Sequence, residues 1–377
     1  MSTMNKNGGW RAALQVVALV VFAGSMGVLL AGELPEDQKT AEQSFKNIQV
    51  LKGMPESQLV GVMGYMEAAL GAKDCGYCHV RGEKEMEWEK DDNPKKQTSR
   101  KMVQMVLDIN KTSFNGRPEI TCYTCHQGHE HPVAVPSLPL APAEAEAPRP
   151  SGRFPTPNEL VDKYLQAIGG KDAAAKLGSL VLKGTQTGQN GTAMQVEVYW
   201  KAGKVLSSIA TPGGAFAQGF DGAAGWTQGR NGTREMNPSE LERIKDLASA
   251  YDPLKLHEPY PRMRLMAKEK VDGRDAWVLR AQEPDNRSEK LYFDSETGLL
   301  VRKVILTSTM IGTIPEQVDF QDYREANGIR LPFTIRMTGL NPRGNWDQKF
   351  ETIQSDPAVE DGRFSKPAAE NKTTEQR

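Results

Sequence analysis

The sequence has little cysteine, little histidine and almost no net charge, and each shortage narrows what the chain can do. Its 377 residues hold four cysteines, all inside two short runs. Five histidines are present, His79, His126, His129, His131 and His257, and all but the last lie within the first 131 residues, next to the cysteines. Lysine and arginine number 47 against 48 acidic residues, so the basic footprint of a nucleic-acid partner is missing. No solenoid-type repeat is visible. The length is too great for one ordinary small domain and suggests two plus extras, enough to bury a sizeable core.

What is present is a repeated motif. Cys75-Gly76-Tyr77-Cys78-His79 and Cys122-Tyr123-Thr124-Cys125-His126 are both Cys-x-x-Cys-His runs, the spacing that attaches a c-type haem. The two thiols are spaced to reach the two vinyl groups of one porphyrin, and the histidine that follows is placed to bind the iron. Zinc is a competing use of two Cys-x-x-Cys pairs. Against it, the stretch from His79 to Thr121 exceeds the usual ribbon spacing, and a ribbon needs no histidine after both pairs. Disulfides are the other, but a Cys-x-x-Cys loop is too tight to staple much structure.

Taken in order, the chain opens with a polar stretch, Met1 to Arg11, which carries Lys6 and Arg11 and no acid. Ala12 to Ala31 then runs without a charge, long enough to span a bilayer. An uncleaved anchor with its positive end inside is the expected role. A cleaved secretory signal is the alternative, although Leu29-Leu30-Ala31 puts a bulky residue where the cleavage site wants a small one. Either way the remainder is expected outside the cytoplasm, on the periplasmic side of a bacterial inner membrane, anchored there or soluble after cleavage.

From Glu33 to about Pro132 a mainly α domain is expected. Leu59, Met63, Met66 and Leu70 share one helical face, with Val60 beside it. A second helix is predicted from Ser99 to Asn110, capped by Thr98 or Ser99, with Met102, Met105, Val106 and Ile109 on one side. Between the helices, Glu83 to Asp92 is mainly acidic, which suits a solvated face or a docking patch for a basic redox partner. Pro132 to Pro157 is rich in proline, alanine and glutamate and reads as a semi-stiff linker. The expected divisions are 1–32 for the anchor or signal, 33–131 for a dihaem domain, 132–156 for the linker, 157–358 for an α+β domain and 359–377 for a disordered tail.

Past the linker, Thr156-Pro157-Asn158-Glu159 forms a capping box with proline at the first helical position. Leu160, Val161, Tyr164, Leu165 and Ile168 supply the buried stripe before Gly169-Gly170. Strands follow. Met194, Val196, Val198 and Trp200 alternate with polar neighbours, and Val271-Asp272-Gly273-Arg274 and Asp294-Ser295-Glu296-Thr297-Gly298 read as hairpin turns. One helix, Pro238 to about Ala250, is capped by Asn237 with Glu240 three residues on. An antiparallel meander with helices at its start and inside it is the expected result.

A haem iron also needs a ligand opposite its histidine. Methionine there raises the potential and closes the iron to substrates. Met63 and Met66 precede the first motif, Met102 and Met105 the second, and spacing does not choose among them. The residues FKNIQVLKGM (Phe45 to Met54), VMGYM ahead of CGYCH, RKMVQM (Arg100 to Met105) and ITCYTCHQG (Ile120 to Gly128) resemble the cytochrome c subunit of photosynthetic reaction centres, which normally carries four haems in two tandem halves. The resemblance covers about a quarter of the chain. It implies Met66 and Met102 as the iron-binding methionines. One half alone is present, so it implies two covalently bound haem c groups. Where the family has a histidine that serves the other half, this chain has Phe114. His129 and His131 are additional, read as surface residues with an axial ligand as the alternative.

Phe220-Asp221-Gly222 with Gly225-Trp226, LYFDSETGLLVRKV and DYREANGIRLPFTI resemble the periplasmic lipoprotein-carrier type of half-barrel, a curved antiparallel sheet closed by helices. The expected function is that of an electron carrier and not an enzyme. Cys75 and Cys78 hold one haem with His79 and Met66 on its iron, Cys122 and Cys125 the other with His126 and Met102. Expected partners are a membrane redox complex or reaction centre, small redox proteins and, through the N-terminal segment, the inner membrane. A dihaem peroxidase-like enzyme and a lipid or lipoprotein binder with redox-sensing haems are the alternatives.

Overall fold

A computed structural model of the chain describes residues 39–135, 153–230, 232–257, 262–282, 287–340 and 344–367. The first part is helical in pieces. A one-turn helix α1 (Ala41–Ser44) leads to α2 (Glu56–Leu70), which Gly71 ends in the left-handed conformation. Two-residue strands β1 (Val80–Arg81) and β2 (Met86–Glu87) pair as a small hairpin. They are followed by α3 (Pro94–Ser113) and the short α4 (Cys122–His126). The apolar side chains of this part, among them Leu51, Met54, Leu59, Val62, Tyr65 and Val103, share one buried cluster with Ile311.

Beyond residue 153 the alternation of apolar and polar residues builds strands. Helices α5 (Pro157–Ala167) and α6 (Lys171–Lys176) come first. Then come β3 (Ser179–Gly188), β4 (Ala193–Lys201), β5 (Lys204–Thr211), β6 (Gly214–Phe220), β7 (Gly225–Gly229) and β8 (Gly232–Glu235). Helix α7 (Pro238–Ala250) interrupts. The chain continues through β9 (Arg262–Val271), β10 (Arg274–Gln282), β11 (Ser288–Asp294), β12 (Leu300–Thr309), β13 (Gly312–Ala326), β14 (Ile329–Gly339) and β15 (Trp346–Ser355).

These strands form one thirteen-stranded sheet in the order β8-β7-β6-β5-β4-β3-β15-β14-β13-β12-β11-β10-β9. Every step is a sequential antiparallel hairpin except one, where β3 pairs with β15 from Leu180↔Ser355 to Gly188↔Trp346. First and last strands thus meet in the middle, and two meanders become one sheet. Leu160 and Tyr164 of α5, Ile168 just after it, and Ile244 and Ala248 of α7 pack with Leu182, Val198, Phe293 and Phe333 of the strands in the main core. Trp200 Nε1 donates to the Ala248 carbonyl at 2.8 Å and ties α7 to the sheet.

The expected fold class needs correction. No mainly α cytochrome domain stands apart: Lys39–Arg377 form one compact unit dominated by the thirteen-stranded sheet. The physical reason is burial. Helices of four, fifteen, twenty and five residues cannot cover their own apolar faces, and the turn between β12 and β13 supplies the missing cover through Ile311. Nor is any helix among the described residues long and apolar enough to cross a membrane. The stretch Ala12 to Ala31, expected to do so, lies outside the described residues.

Two local expectations also shift. Helix α3 begins at Pro94, not Ser99, because Asn93 caps it, accepting from Lys95 N–H at 3.0 Å, and proline takes the first helical position. On α2 the buried face is Leu59, Val62, Tyr65 and Ala69, with Met63, Met66 and Leu70 half-buried at its flank and Val60 exposed.

Candidate functional site

The first Cys-x-x-Cys-His run follows directly on the end of α2. Asp74 caps a single 3-10 turn over Cys75–Tyr77, its carboxylate accepting from Gly76 N–H at 2.7 Å, and an ion pair to Arg81 at 2.6 Å holds the carboxylate. One tight turn puts Cys75 and Cys78 within reach of a common group, and His79 N–H donates to the Cys75 carbonyl at 3.0 Å. Cys78 Sγ lies 3.6 Å from Ser99 Oγ on α3. Burial pushes the Cys78 thiol up from its ordinary pKa, which keeps it protonated.

His79 Nδ1 lies 3.3 Å from the Trp88 carbonyl, and the indole meets the imidazole edge-on at 5.2 Å. A carbonyl oxygen can only accept, so Nδ1 carries the proton and the Nε2 lone pair is left for a metal. Burial, then the charges of Lys96 and Arg100, lower the His79 pKa, favouring the neutral ring that ligation needs. Lys96, itself buried, donates to the same Trp88 oxygen at 2.9 Å and to the Lys90 carbonyl at 2.7 Å. Asp91 completes the arrangement, 3.1 Å from Lys96 and 2.9 Å from Arg100, and the Arg100 guanidinium holds its carboxyl well below the usual range. Part of the acidic run 83–92 is thus a clamp behind His79. Lys96 was not visible as a site residue in the sequence, since a lysine in the first turn of a helix carries no signature of its own.

The second run is α4 itself. Its cap comes partly from inside the motif: Thr121 accepts from Thr124 N–H at 3.2 Å, and Thr124 Oγ1 accepts from Thr121 N–H at 3.1 Å. Cys122 and Cys125 lie three apart on this single turn, and burial raises the Cys122 thiol pKa. His126 Nδ1 is 3.0 Å from the His129 carbonyl, so this ring too keeps its proton on Nδ1 and turns Nε2 outward. Buried Asn110 at the end of α3 fixes the entry, donating to the Ile120 carbonyl at 2.7 Å and accepting from Ile120 N–H at 2.9 Å. The exit is fixed by α2: Gly128 N–H donates to the Ala69 carbonyl at 2.9 Å. The Gly128 carbonyl occupies the place a side chain on Gly71 would take, so glycine is required there by both contact and its φ of +61°.

The methionines divide. Met63 and Met66 pack against the same buried cluster as Cys122, whereas Met102 and Met105 are exposed on α3 beside buried Val103 and Val106. Met102 is one turn from Ser99, the residue that touches Cys78. His129 and His131 are exposed, and His129 serves the site through its backbone carbonyl. Phe114 is half-buried at the end of α3.

No disulfide joins the four cysteines, and among the described residues no three or more histidine, cysteine or acidic side chains converge on one point. The two Cys-x-x-Cys pairs therefore do not come together as one zinc site would require. Haem fits the donor set better. Each run offers two thiols and one imidazole with a defined tautomer, thioethers stand nearby, and large apolar side chains lie open around them, Trp88 at 54% and Tyr123 at 53% exposure. Elsewhere, the main core holds an apolar cavity of about 40 Å³ lined by Tyr164, Tyr251, Phe320, Tyr323 and Leu331. That is room for a water or two, not an acyl chain.

Residues 28–150 match the sequence profile of the family described as photosynthetic reaction centre cytochrome C subunit. The photosynthetic reaction center cytochrome c subunit of Thermochromatium tepidum is 29% identical over 116 residues, 30% of this chain and 28% of that protein. The chain thus spans little more than a quarter of the length of this curated relative. Among solved structures, it is similar to a DUF1329 family protein of Desulfovibrio piger (13% identity, 55% of this chain and 96% of that one, TM-score 0.42). A LolA superfamily protein of Nitrosomonas europaea gives 13% identity, 56% of this chain and 99% of that one, and a TM-score of 0.40. The stretch that holds both Cys-x-x-Cys-His runs resembles the reaction-centre cytochrome c subunit in sequence, and the matched stretch ends at residue 150, ahead of the sheet.

Proposed function

We propose that the chain is a c-type cytochrome that passes electrons between redox partners, with two covalently attached haem c groups and no bond made or broken in a substrate. One observation carries this reading: in both Cys-x-x-Cys-His runs the histidine Nδ1 faces a backbone carbonyl, from Trp88 in one and His129 in the other, leaving Nε2 as the ligating atom. Cys75 and Cys78 hold one group with His79 on its iron, and Cys122 and Cys125 hold the other with His126. Met66 and Met102 would supply the thioether sulfurs to the irons. When bound, each group supplies a one-electron couple whose potential a methionine sulfur raises.

The chain's own residues do the rest. Asn110 and the Thr121–Thr124 box hold the second run in shape, and Asp74 does so for the first. Lys96 and the Asp91–Arg100 pair fix the carbonyl behind His79. Exposed Trp88 and Tyr123 offer apolar contact to a docking partner. A membrane redox complex such as a reaction centre, or a small redox protein, suits this face, on the outer side of the bacterial inner membrane where c-type haems are attached. The test is the intact mass of the full chain purified from a host with haem c maturation, with a haem-to-protein ratio from the pyridine haemochrome. Two haems per chain are expected. A polypeptide without added mass would refute the reading.

A further inference from the structure

The turn between β12 and β13 reaches into the helices that carry the motifs. Ile311 at its tip is fully buried in one cluster with Val62, Tyr65 and Val103, and Ile314 and Met310 pack around it. Contacts on both sides of the tip hold it in register. Gln58 of α2 donates to the Ser308 carbonyl at 3.4 Å, and Thr309 Oγ1 closes the turn on the Gly312 carbonyl at 2.7 Å. Gly61 lets the helix come so close that a Cβ there would stand 3.2 Å from Ile314 Cδ1.

Tyr65 is where three elements meet. It belongs to α2, one residue before Met66, and is 7% exposed. A Cβ on Gly312, whose φ is +146°, would stand 3.0 Å from the Tyr65 hydroxyl and 3.2 Å from Thr121 Cγ2. The hydroxyl and the Thr121 methyl therefore border the same small space beside Gly312, and Tyr65 and Cys122 pack in one cluster. Thr121 caps α4, the second Cys-x-x-Cys-His run. One phenol thus touches the sheet's hairpin, the helix of Met66 and the cap of the second motif.

We propose that Tyr65 is a positioning residue through which the β12–β13 hairpin holds α2 against α4 and so sets the redox potential of the site. This rests on the cytochrome reading above for the groups whose potential is set. The physical cause is water. An apolar tip that seals α2 against α4 keeps solvent from Cys122, the end of the second motif that packs on the same cluster, and solvent stabilises the more highly charged oxidised state. Opening that seam lowers the potential without removing any ligand. The sheet, 250 residues from Gln58 in sequence at this contact, then acts on the redox site directly.

The test uses the full chain with Tyr65→Phe, which keeps the ring and loses the hydroxyl, and with Ile311→Ala, which keeps the tyrosine and loses the wedge. Haem content, midpoint potentials by spectroelectrochemical titration, and hydrogen exchange of α2 and α4 are measured together. Expected are unchanged haem content, about tenfold faster amide exchange over α2 and α4, and a more negative midpoint in both variants. Unchanged midpoints at unchanged haem content would overturn the proposal even if exchange quickened, since the contact would then be structural alone. A wild-type chain without haem would instead sink the cytochrome reading, while unchanged exchange in both variants would still overturn the hairpin's hold on α2.

Discussion

Replacing Lys96 by leucine removes the charge that stands behind His79. Its ammonium donates to the Trp88 carbonyl at 2.9 Å, and His79 Nδ1 lies 3.3 Å from the same oxygen, so charge and ring share one anchor. Those two contacts and the width of the imidazole ring set the charge within about 10 Å of the group that Nε2 would hold, and at that range a unit charge is worth about 1.7 kcal/mol at an effective dielectric of 20, which is about 70 mV for one electron. Solvent screening reduces this, so a fall of about 50 mV in the couple served by His79 is expected. The sign follows because losing a positive charge favours the oxidised form. Lys96 also makes charge-assisted bonds to two carbonyls, each worth about 1.5–3 kcal/mol, so the melting temperature should drop as well. Spectroelectrochemical titration of the holoprotein resolves the two couples. Lys96→Arg should recover most of the potential, because the charge returns even if the geometry differs. If Lys96→Leu retains both haems and both midpoints, the Trp88 carbonyl is not coupled electrostatically to the first site and the reasoning fails.

Met66→Ala and Met102→Ala should each lower the potential of one haem and leave the other nearly unchanged. Wild-type potentials in both variants would remove the two methionines as ligands. The reduced protein should bind carbon monoxide poorly if both irons carry six ligands, and a shifted absorption band on adding the gas would favour a peroxidase-like enzyme. Gly71→Ala sets a side chain against the Gly128 carbonyl at a positive φ, and thermal unfolding should show a loss of about 1–3 kcal/mol. Asn110→Ala strands the Ile120 amide and carbonyl, with an expected loss of about 2 kcal/mol by denaturant titration.

Where local chemistry decides, sequence and structure agree closely. Both capping boxes, Thr156 with Glu159 and Asn237 with Glu240, form, and α7 runs over Pro238–Ala250 as expected. The strand around Met194 to Trp200 appears as β4, and the turn at Asp272-Gly273 joins β9 to β10 with both residues at positive φ. Such features are settled by neighbours in the chain. Helix α3 starts ahead of its expected position for an equally local reason. Thr98 can cap a helix, but its hydroxyl instead bonds back to the Pro94 carbonyl at 3.2 Å, and Asn93-Pro94 makes the true start.

On α2, helical periodicity allows two overlapping stripes, Leu59-Met63-Met66-Leu70 and Leu59-Val62-Tyr65-Ala69. Nothing within the helix chooses between them. The hairpin carrying Ile311 does, by joining Leu59, Val62 and Tyr65 of the second stripe in one buried cluster.

By itself, then, the sequence determined the donor set of the two motifs, because two thiols and an imidazole at fixed spacing are read from covalent connectivity alone. It also determined the caps of α5 and α7 and the turn at Asp272-Gly273, which are settled within four residues. Only the tertiary structure decided that the motif-bearing helices share one compact unit with a thirteen-stranded sheet, and that a buried lysine stands behind His79. Those facts depend on contacts between residues far apart in the chain and on which apolar face finds cover, and a one-dimensional pattern records neither.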